Sequence, residues 1–243
     1  MSHGRADIAL ELYGASYDFP QGAPADRRYF ILSTPRVGST LLSRLLRQVP
    51  GAGLPLEYLN PIHKRSLSTR LRTKGNSYAA ALLQRRSAPG GWFGLKLHAV
   101  QGLDHANRPT EDFHALINSN AIYFRLKRID RLAQAVSLAH ARMTGRWQPG
   151  VSLAGSEPMF SHAAIDEAEE IIGRQERSWD AFLQTIPSTA IVNLSYEALV
   201  QDIQGTIDLI VRRLDLSPCQ VEVNLGKVDA KIKADWLMRL RSS

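Results

Sequence analysis

The sequence carries one cysteine in 243 residues, Cys219. No intrachain disulfide can form, and no cysteine-based zinc site can be built. His63, His105, His114 and His162 share no metal-ligand spacing, so no metal is expected. Aromatic residues make up 7% of the chain, a composition that does not favour the stacking platforms of a nucleic-acid binder. No window approaches the length of a membrane span. The start, Met1-Ser2-His3-Gly4-Arg5-Ala6-Asp7, lacks the basic-then-apolar pattern of a signal peptide. These absences lead to the expectation of a soluble, cytoplasmic protein without nucleic-acid or integral-membrane partners. Internal repeats and low-complexity tracts are lacking as well.

What is present suits a globular protein. Hydrophobic residues at 44% and charged residues at 22% are enough to bury a sizeable core. The length allows one large α/β domain or two small ones. With no convincing linker, we expect an irregular lead-in over 1–28 and a single domain over 29–243. The net charge of +7 is scattered rather than blocked, which favours a small, highly charged anionic ligand.

Strand-like runs occur at 28–32, 92–98, 121–126 and 189–193, and helical spacing follows from Ser39, over 78–85, 110–118, 130–144, 163–183 and 196–214. The stretch 148–161 reads as a loop, and the C-terminus as a basic tail. Strands alternating with helices predict βαβ units on a mostly parallel sheet.

Ligands of such sheets bind beyond the carboxyl ends of the strands. The first such place is Ser33-Thr34-Pro35-Arg36-Val37-Gly38-Ser39-Thr40. Gly38 lets the backbone approach an anion, and the amides and hydroxyls of Ser39 and Thr40 open a helix N-terminus. Arg36 adds a forked cation. The G-x-x-x-x-G-K-[ST] spacing is absent and no lysine precedes Ser39, which counts against a nucleotide or small-molecule kinase. A capped helix after a strand is the plain structural alternative. After the third strand, Arg128 at the strand end and Ser137 two turns into the next helix form a second set able to hold a phosphate. The alternative there is a solvated basic loop.

Together the two sets resemble PAPS-dependent sulfotransferases. Thr34-x-Arg36-x-Gly38-Ser39-Thr40-Leu41-Leu42 is similar to their 5′-phosphosulfate loop. Arg128-x-Asp130 with Gln134-Ala135-Val136-Ser137 is similar to their 3′-phosphate motif, and Tyr196-Glu197-x-Leu199 also follows a strand there. More narrowly, the chain resembles the bacterial carbohydrate sulfotransferase family that includes trehalose 2-sulfotransferase and lipopolysaccharide-modifying relatives. The supporting segments are Gly53-Leu54-Pro55-Leu56-Glu57-Tyr58, Gly94-x-Lys96-Leu97, the run from Gln134 through Arg142-x-Thr144-Gly145-x-Trp147, and Asp235-Trp236.

The resemblance implies a three-layer, P-loop-like α/β sulfotransferase fold with a mostly parallel central sheet flanked by helices. It implies PAPS as donor and PAP as product, and no metal. The acceptor it implies is a carbohydrate or glycolipid hydroxyl, and the assembly a homodimer. Arg36, Val37, Gly38, Ser39 and Thr40 carry over to the 5′ side, Arg128 and Ser137 to the 3′-phosphate, and Glu57 to the general base. Arg36 and the helix N-terminus would also be catalytic, stabilising the charge that builds on the leaving 5′-phosphate. A base at Glu57 requires its pKa to rise toward neutrality by burial. His98 departs from the trehalose-type pattern, which has an apolar residue there. Lys96-Leu97-His98 instead reproduces the lysine-to-histidine spacing of many animal cytosolic sulfotransferases. His98 stays open as a second base, an acceptor-binding group or a strand-end histidine. A non-catalytic anion- or nucleotide-binding module is the remaining alternative. The basic run from His63 to Lys74 reads as a solvated face or an acceptor-side lid, Trp92 and Trp179 as core, and Trp147 as core or a sugar-stacking platform.

Overall fold

Strand β1 (Arg27–Ser33) sends Tyr29 and Ile31 to one face and Phe30 and Leu32 to the other, and all four side chains are fully buried. Such burial on both faces is what a parallel sheet covered by helices requires. In the computed structural model, which describes residues 11–20, 25–73, 77–147, 158–223 and 230–242, β1 pairs with β2 (Trp92–His98) and β3 (Ile122–Lys127). Strand β4 (Ile191–Ser195) pairs with β3, giving the order β2-β1-β3-β4 with every pair parallel.

Two cores lie against the two faces. Phe30, Leu32, Leu95, Leu97 and Tyr123 pack with helices α3 (Ser77–Arg86), α4 (Ala99–Gly102), α5 (Glu111–Leu116) and α7 (His162–Leu183). Tyr29, Ile31 and Phe124 pack with α1 (Ser39–Leu46) and α9 (Ile203–Arg213). The result is the expected three-layer α/β arrangement, with Trp92 and Trp179 buried as anticipated. A third cluster joins α6 (Arg131–Thr144) and α7 to α10 (Ala230–Ser242) through Trp236.

Three sequence readings are corrected. The helix expected over 196–214 is two helices, α8 (Tyr196–Gln201) and α9, because Asp202 leaves helical geometry at φ −140° and ψ 88°. Its carboxylate caps the second helix by accepting from the Gly205 amide at 2.8 Å. The basic tail is α10. The basic stretch after Pro61 holds α2 (Pro61–Leu71), started by the Asn60 side chain and by proline in the first turn. Leu67 is the one side chain of α2 that is buried, so no apolar stripe betrays the helix. Most of the expected 148–161 loop, residues 148–157, and Lys74 of the basic run lie outside the described residues.

Candidate active site

Parallel register brings the strand ends together: Ser33 stands opposite His98, and Lys127 opposite Ser195. The loop leaving β1 turns tightly, with Arg36 at φ +66° and Gly38 at φ +84°. A Cβ on Gly38 would fall 2.5 Å from Tyr196 Cδ2, so the glycine admits the tyrosine ring against the loop. Val37 points away from the site into the second core and serves it by backbone alone. Ser39, Thr40 and Leu41 open α1, so their amides lack intrahelical acceptors and sit at the positive end of the helix. The loop is held from behind. Gln134 Nε2 donates to Thr34 Oγ1 at 2.8 Å and to the Pro35 carbonyl at 2.7 Å, and Trp179 Nε1 donates to the Ser33 carbonyl at 2.9 Å.

The two phosphate sets meet. Arg36 Nε donates to Ser137 Oγ at 3.1 Å and its Nη1 to the Trp147 carbonyl at 2.6 Å. The Arg128 guanidinium lies 4.7 Å from the Tyr196 ring centroid. Its buried Nε donates no hydrogen bond and stands 4.0 Å from Glu197 Oε1. Glu197 in turn accepts from the amides of Ile129 at 3.0 Å and Asp130 at 3.2 Å. Asp130 caps α6 by accepting from the Ala133 amide at 2.9 Å, which accounts for its place in the motif without a ligand role. Burial first, and then the charge of Arg128, lower the Arg36 pKa. An anion between the two guanidinium groups would offset their repulsion and favour the charged form of Arg36.

Glu57 is carried to the same mouth by a segment that runs beside β2. Leu56 forms a lone parallel bridge with Leu95, the Lys96 amide donates to the Leu56 carbonyl at 3.1 Å, and Ser43 of α1 donates to the Pro55 carbonyl. The Glu57 carboxylate lies 2.7 Å from Lys96 Nζ and 4.0 Å from His98 Nε2. It accepts from Gln101 Nε2 at 2.9 Å and Asn60 Nδ2 at 3.1 Å. Lys96 also donates to Thr40 Oγ1 at 3.1 Å, so one ammonium joins the phosphate loop to Glu57.

The pKa expected for Glu57 is reversed. Burial does push the carboxyl up, but the charges of Lys96 and His98 and the hydrogen bonds from Lys96 and Gln101 outweigh it. They hold Glu57 well below the usual carboxylate range. His98 moves down from its ordinary 6.5 through burial above all, with Glu57 opposing and Lys96 adding to the shift. The shift favours the neutral ring, with Nδ1 3.1 Å from Ser33 Oγ and Nε2 toward Glu57.

Several contributors escaped the reading by residue type. Lys96 was legible only as a letter in a segment, and Asn60, Gln101, Gln134, Tyr196 and Glu197 act through contacts that only the fold creates. Trp147 is 48% exposed beside Arg36 and is not core. The basic run is not simply solvated: Lys64 pairs with Asp112, and Arg70 grips Asp18. Among the described residues, no group of three His, Cys, Asp or Glu side chains is placed to hold a metal, and no helix is long and apolar enough to cross a membrane.

Comparison with known proteins gives this arrangement its context. The sulfotransferase domain from the curacin biosynthetic pathway superposes with a TM-score of 0.51 at 20% identity, over 82% of this chain and 80% of that one. The sulfotransferase domain of the Synechococcus PCC 7002 olefin synthase gives 0.52 at 17% identity, over 91% and 97%. A sulfotransferase from Alicyclobacillus acidocaldarius gives 0.55 at 13% identity, over 90% and 95%. These likenesses are of fold, the P-loop-like fold of sulfotransferases. No curated protein matches the sequence. The model of the Stf0 sulphotransferase family matches residues 28–243, a span that takes in the strand-end loops, Glu57 and the Arg36–Arg128 site, and the chain belongs to that family.

Proposed function

We propose that this sulfotransferase uses PAPS as donor, a carbohydrate or glycolipid hydroxyl as acceptor, and Glu57 as general base. The observation that carries the reading is the single ammonium of Lys96 shared between Thr40 of the phosphate loop and Glu57. Bound PAPS supplies the sulfuryl group: an S–O bond to the acceptor forms, the S–O bond to the 5′-phosphate breaks, and PAP leaves. The residues suit such a ligand. Arg36, Gly38, Ser39, Thr40 and the backbone of Val37 would face its 5′ end, and Arg128 and Ser137 its 3′-phosphate, with Arg36 joining the two sets through its bond to Ser137. The buried Arg128 Nε without a hydrogen bond is the donor a phosphate oxygen would satisfy.

The chain's part in the reaction is positioning and electrostatics. Lys96 and the α1 N-terminus supply positive charge where the leaving group gains negative charge. Glu57 is ionised at neutral pH and takes the hydroxyl proton. While Lys96 rests on it, Glu57 is a weak base; when Lys96 turns toward an anion at Thr40, the proton affinity of Glu57 rises. Asn60 and Gln101 fix the carboxylate. The carbohydrate class rests on segments 53–58 and 134–147 and on this polar surround. A homodimer and a cytoplasmic location belong to the same proposal.

A second reading, His98 as base, is favoured by the shift toward its neutral ring and by the low proton affinity of Glu57. Transfer from radiolabelled PAPS to a panel of glycans and glycolipids tests both. Glu57→Gln should abolish transfer and leave PAP binding intact; an active Glu57→Gln beside an inactive His98→Ala assigns the base to His98. In a thermal-shift comparison, stabilisation by ATP–Mg²⁺ but not by PAP would return the chain to the kinase alternative.

A further inference from the structure

Residues 11–20 lie ahead of the family match, which starts at residue 28, yet they are built into the wall behind Glu57. The Tyr13 hydroxyl accepts the Glu57 backbone N–H at 3.1 Å. The Tyr13 ring stacks on His63 of α2, centroids 4.1 Å apart and planes within 11°, and meets Tyr58 edge-on at 6.0 Å. Tyr13 is itself buried.

The segment has little regular structure beyond one 3-10 turn, Ala15–Tyr17, and another group supplies its order. Arg86 of α3 is fully buried. It donates to four carbonyls of this segment: Leu12 at 3.0 Å, Tyr13 at 3.0 Å, Gly14 at 3.0 Å and Tyr17 at 3.3 Å. Asp18 closes the clasp, 3.0 Å from Arg86 Nη2 and bonded by both Arg70 nitrogens at 2.7 and 2.8 Å. A buried guanidinium whose two terminal nitrogens meet four main-chain oxygens and one carboxylate specifies a single path for the chain it holds. The path ends on the amide of Glu57.

We propose that residues 11–20 form a brace that positions Glu57, with the Tyr13 hydroxyl as its contact and the Arg86–Asp18–Arg70 clasp as its lock. Tyr13 is a positioning residue: it acts through the Glu57 backbone and not on the reacting atoms. Losing the hydroxyl leaves a half-buried amide without an acceptor and frees the carboxylate to leave its place between Lys96 and Gln101. The turnover consequence rests on Glu57 being the base; the brace itself does not.

The test compares wild type, Tyr13→Phe and Tyr13→Ala with PAP bound, reading amide exchange at Glu57. Phenylalanine keeps the ring and its stack on His63 and removes only the hydroxyl. Tyr13→Phe is expected to speed Glu57 exchange by about ten-fold, as Tyr13→Ala does, with loop 34–41 still protected. If phenylalanine restores the protection that alanine loses, the ring alone matters and the proposal is overturned. Asp18→Asn should raise Glu57 exchange in the same direction, and an unchanged rate would show that the clasp does not act on Glu57. With an acceptor from the transfer screen, Tyr13→Phe should lower kcat about ten-fold and keep KM for PAPS within about two-fold. Where Glu57→Gln is inactive, an unchanged kcat per PAP-binding site counts against the brace. Glu57→Gln is assayed alongside: full activity there removes the base assignment, while the exchange result still judges the brace.

Discussion

Lys96 Nζ stands 2.7 Å from Glu57 Oε1, with the lysine 7% and the glutamate 19% exposed by side chain. The pair is sheltered enough that either charge alone would be costly, yet it opens at the mouth formed by Thr40 and His98. Stability and chemistry therefore pull on the same two side chains.

Lys96→Met should expose this tension. It strips Glu57 of its main counter-charge and the Thr40 hydroxyl of a donor. The expected loss is roughly 3 kcal/mol, a fall in Tm on the order of 6–12 °C for a chain of this size. Transfer should fall far more than the folded fraction does. Calorimetry and PAPS turnover on the same preparation measure both.

Acid titration should proceed in two stages. The folded pKa of His98 is lowered, so unfolding takes up a proton as the pH drops below 6.5, and stability declines from there. The folded pKa of Glu57 is also lowered, from 4.5, so its contribution is complete above that value and is lost as the pH falls through the folded one. Each group adds at most about 1.4 kcal/mol per pH unit to the slope. Urea unfolding between pH 7 and pH 3 should show His98→Gln flattening the upper stage and Glu57→Gln the lower. A His98→Gln profile that matches wild type between pH 6.5 and 5 would contradict the first assignment.

Gly38→Ala is expected to damage donor binding at a distance. The left-handed backbone there costs an L-residue about 1–2 kcal/mol, and the new methyl would strike Tyr196 Cδ2. Moving that ring takes away the face on which Arg128 rests. PAP affinity measured by calorimetric titration should fall by at least about ten-fold, with Arg36 and Arg128 both still present.

Arg128→Ala should weaken PAP by roughly ten- to a hundred-fold, the range of a lost charge-assisted contact. Without ligand the fall in Tm should be small, because Arg128 then gives up only its rest on the Tyr196 ring, a 4.0 Å approach to Glu197 and a long 3.5 Å bond from Nη1 to the Arg36 carbonyl. The effect should be smaller for a nucleotide lacking the 3′-phosphate, and equal losses for the two ligands would argue against Arg128 at that end.

Much of the site was readable before any fold was known. Arg36, Gly38, Ser39 and Thr40 announce an anion because a strand, a glycine and a helix start stand in that order. Glu57 was different. The family resemblance implies a base there and burial would raise its pKa, but the opposite holds because β2 delivers Lys96 beside it. Local spacing cannot show a contact between residues 39 positions apart in sequence. Asp202 hid for another reason: an apolar period that runs through 196–214 masks a break made by one capping carboxylate. The α2 helix hid because its exposed basic side chains carry no stripe.

The sequence by itself determined the architecture and the strand–glycine–helix order of the loop after β1, since apolar strand runs, helix periodicity and turn chemistry are local and add along the chain. Tertiary structure alone decided the direction of the Glu57 pKa shift, the use of Gly38 to seat Tyr196, the meeting of Arg36 with Ser137 and the contact of Tyr13 with the Glu57 amide. Each depends on side chains brought together from distant segments, where electrostatic energy varies with ångströms and with the water left between them.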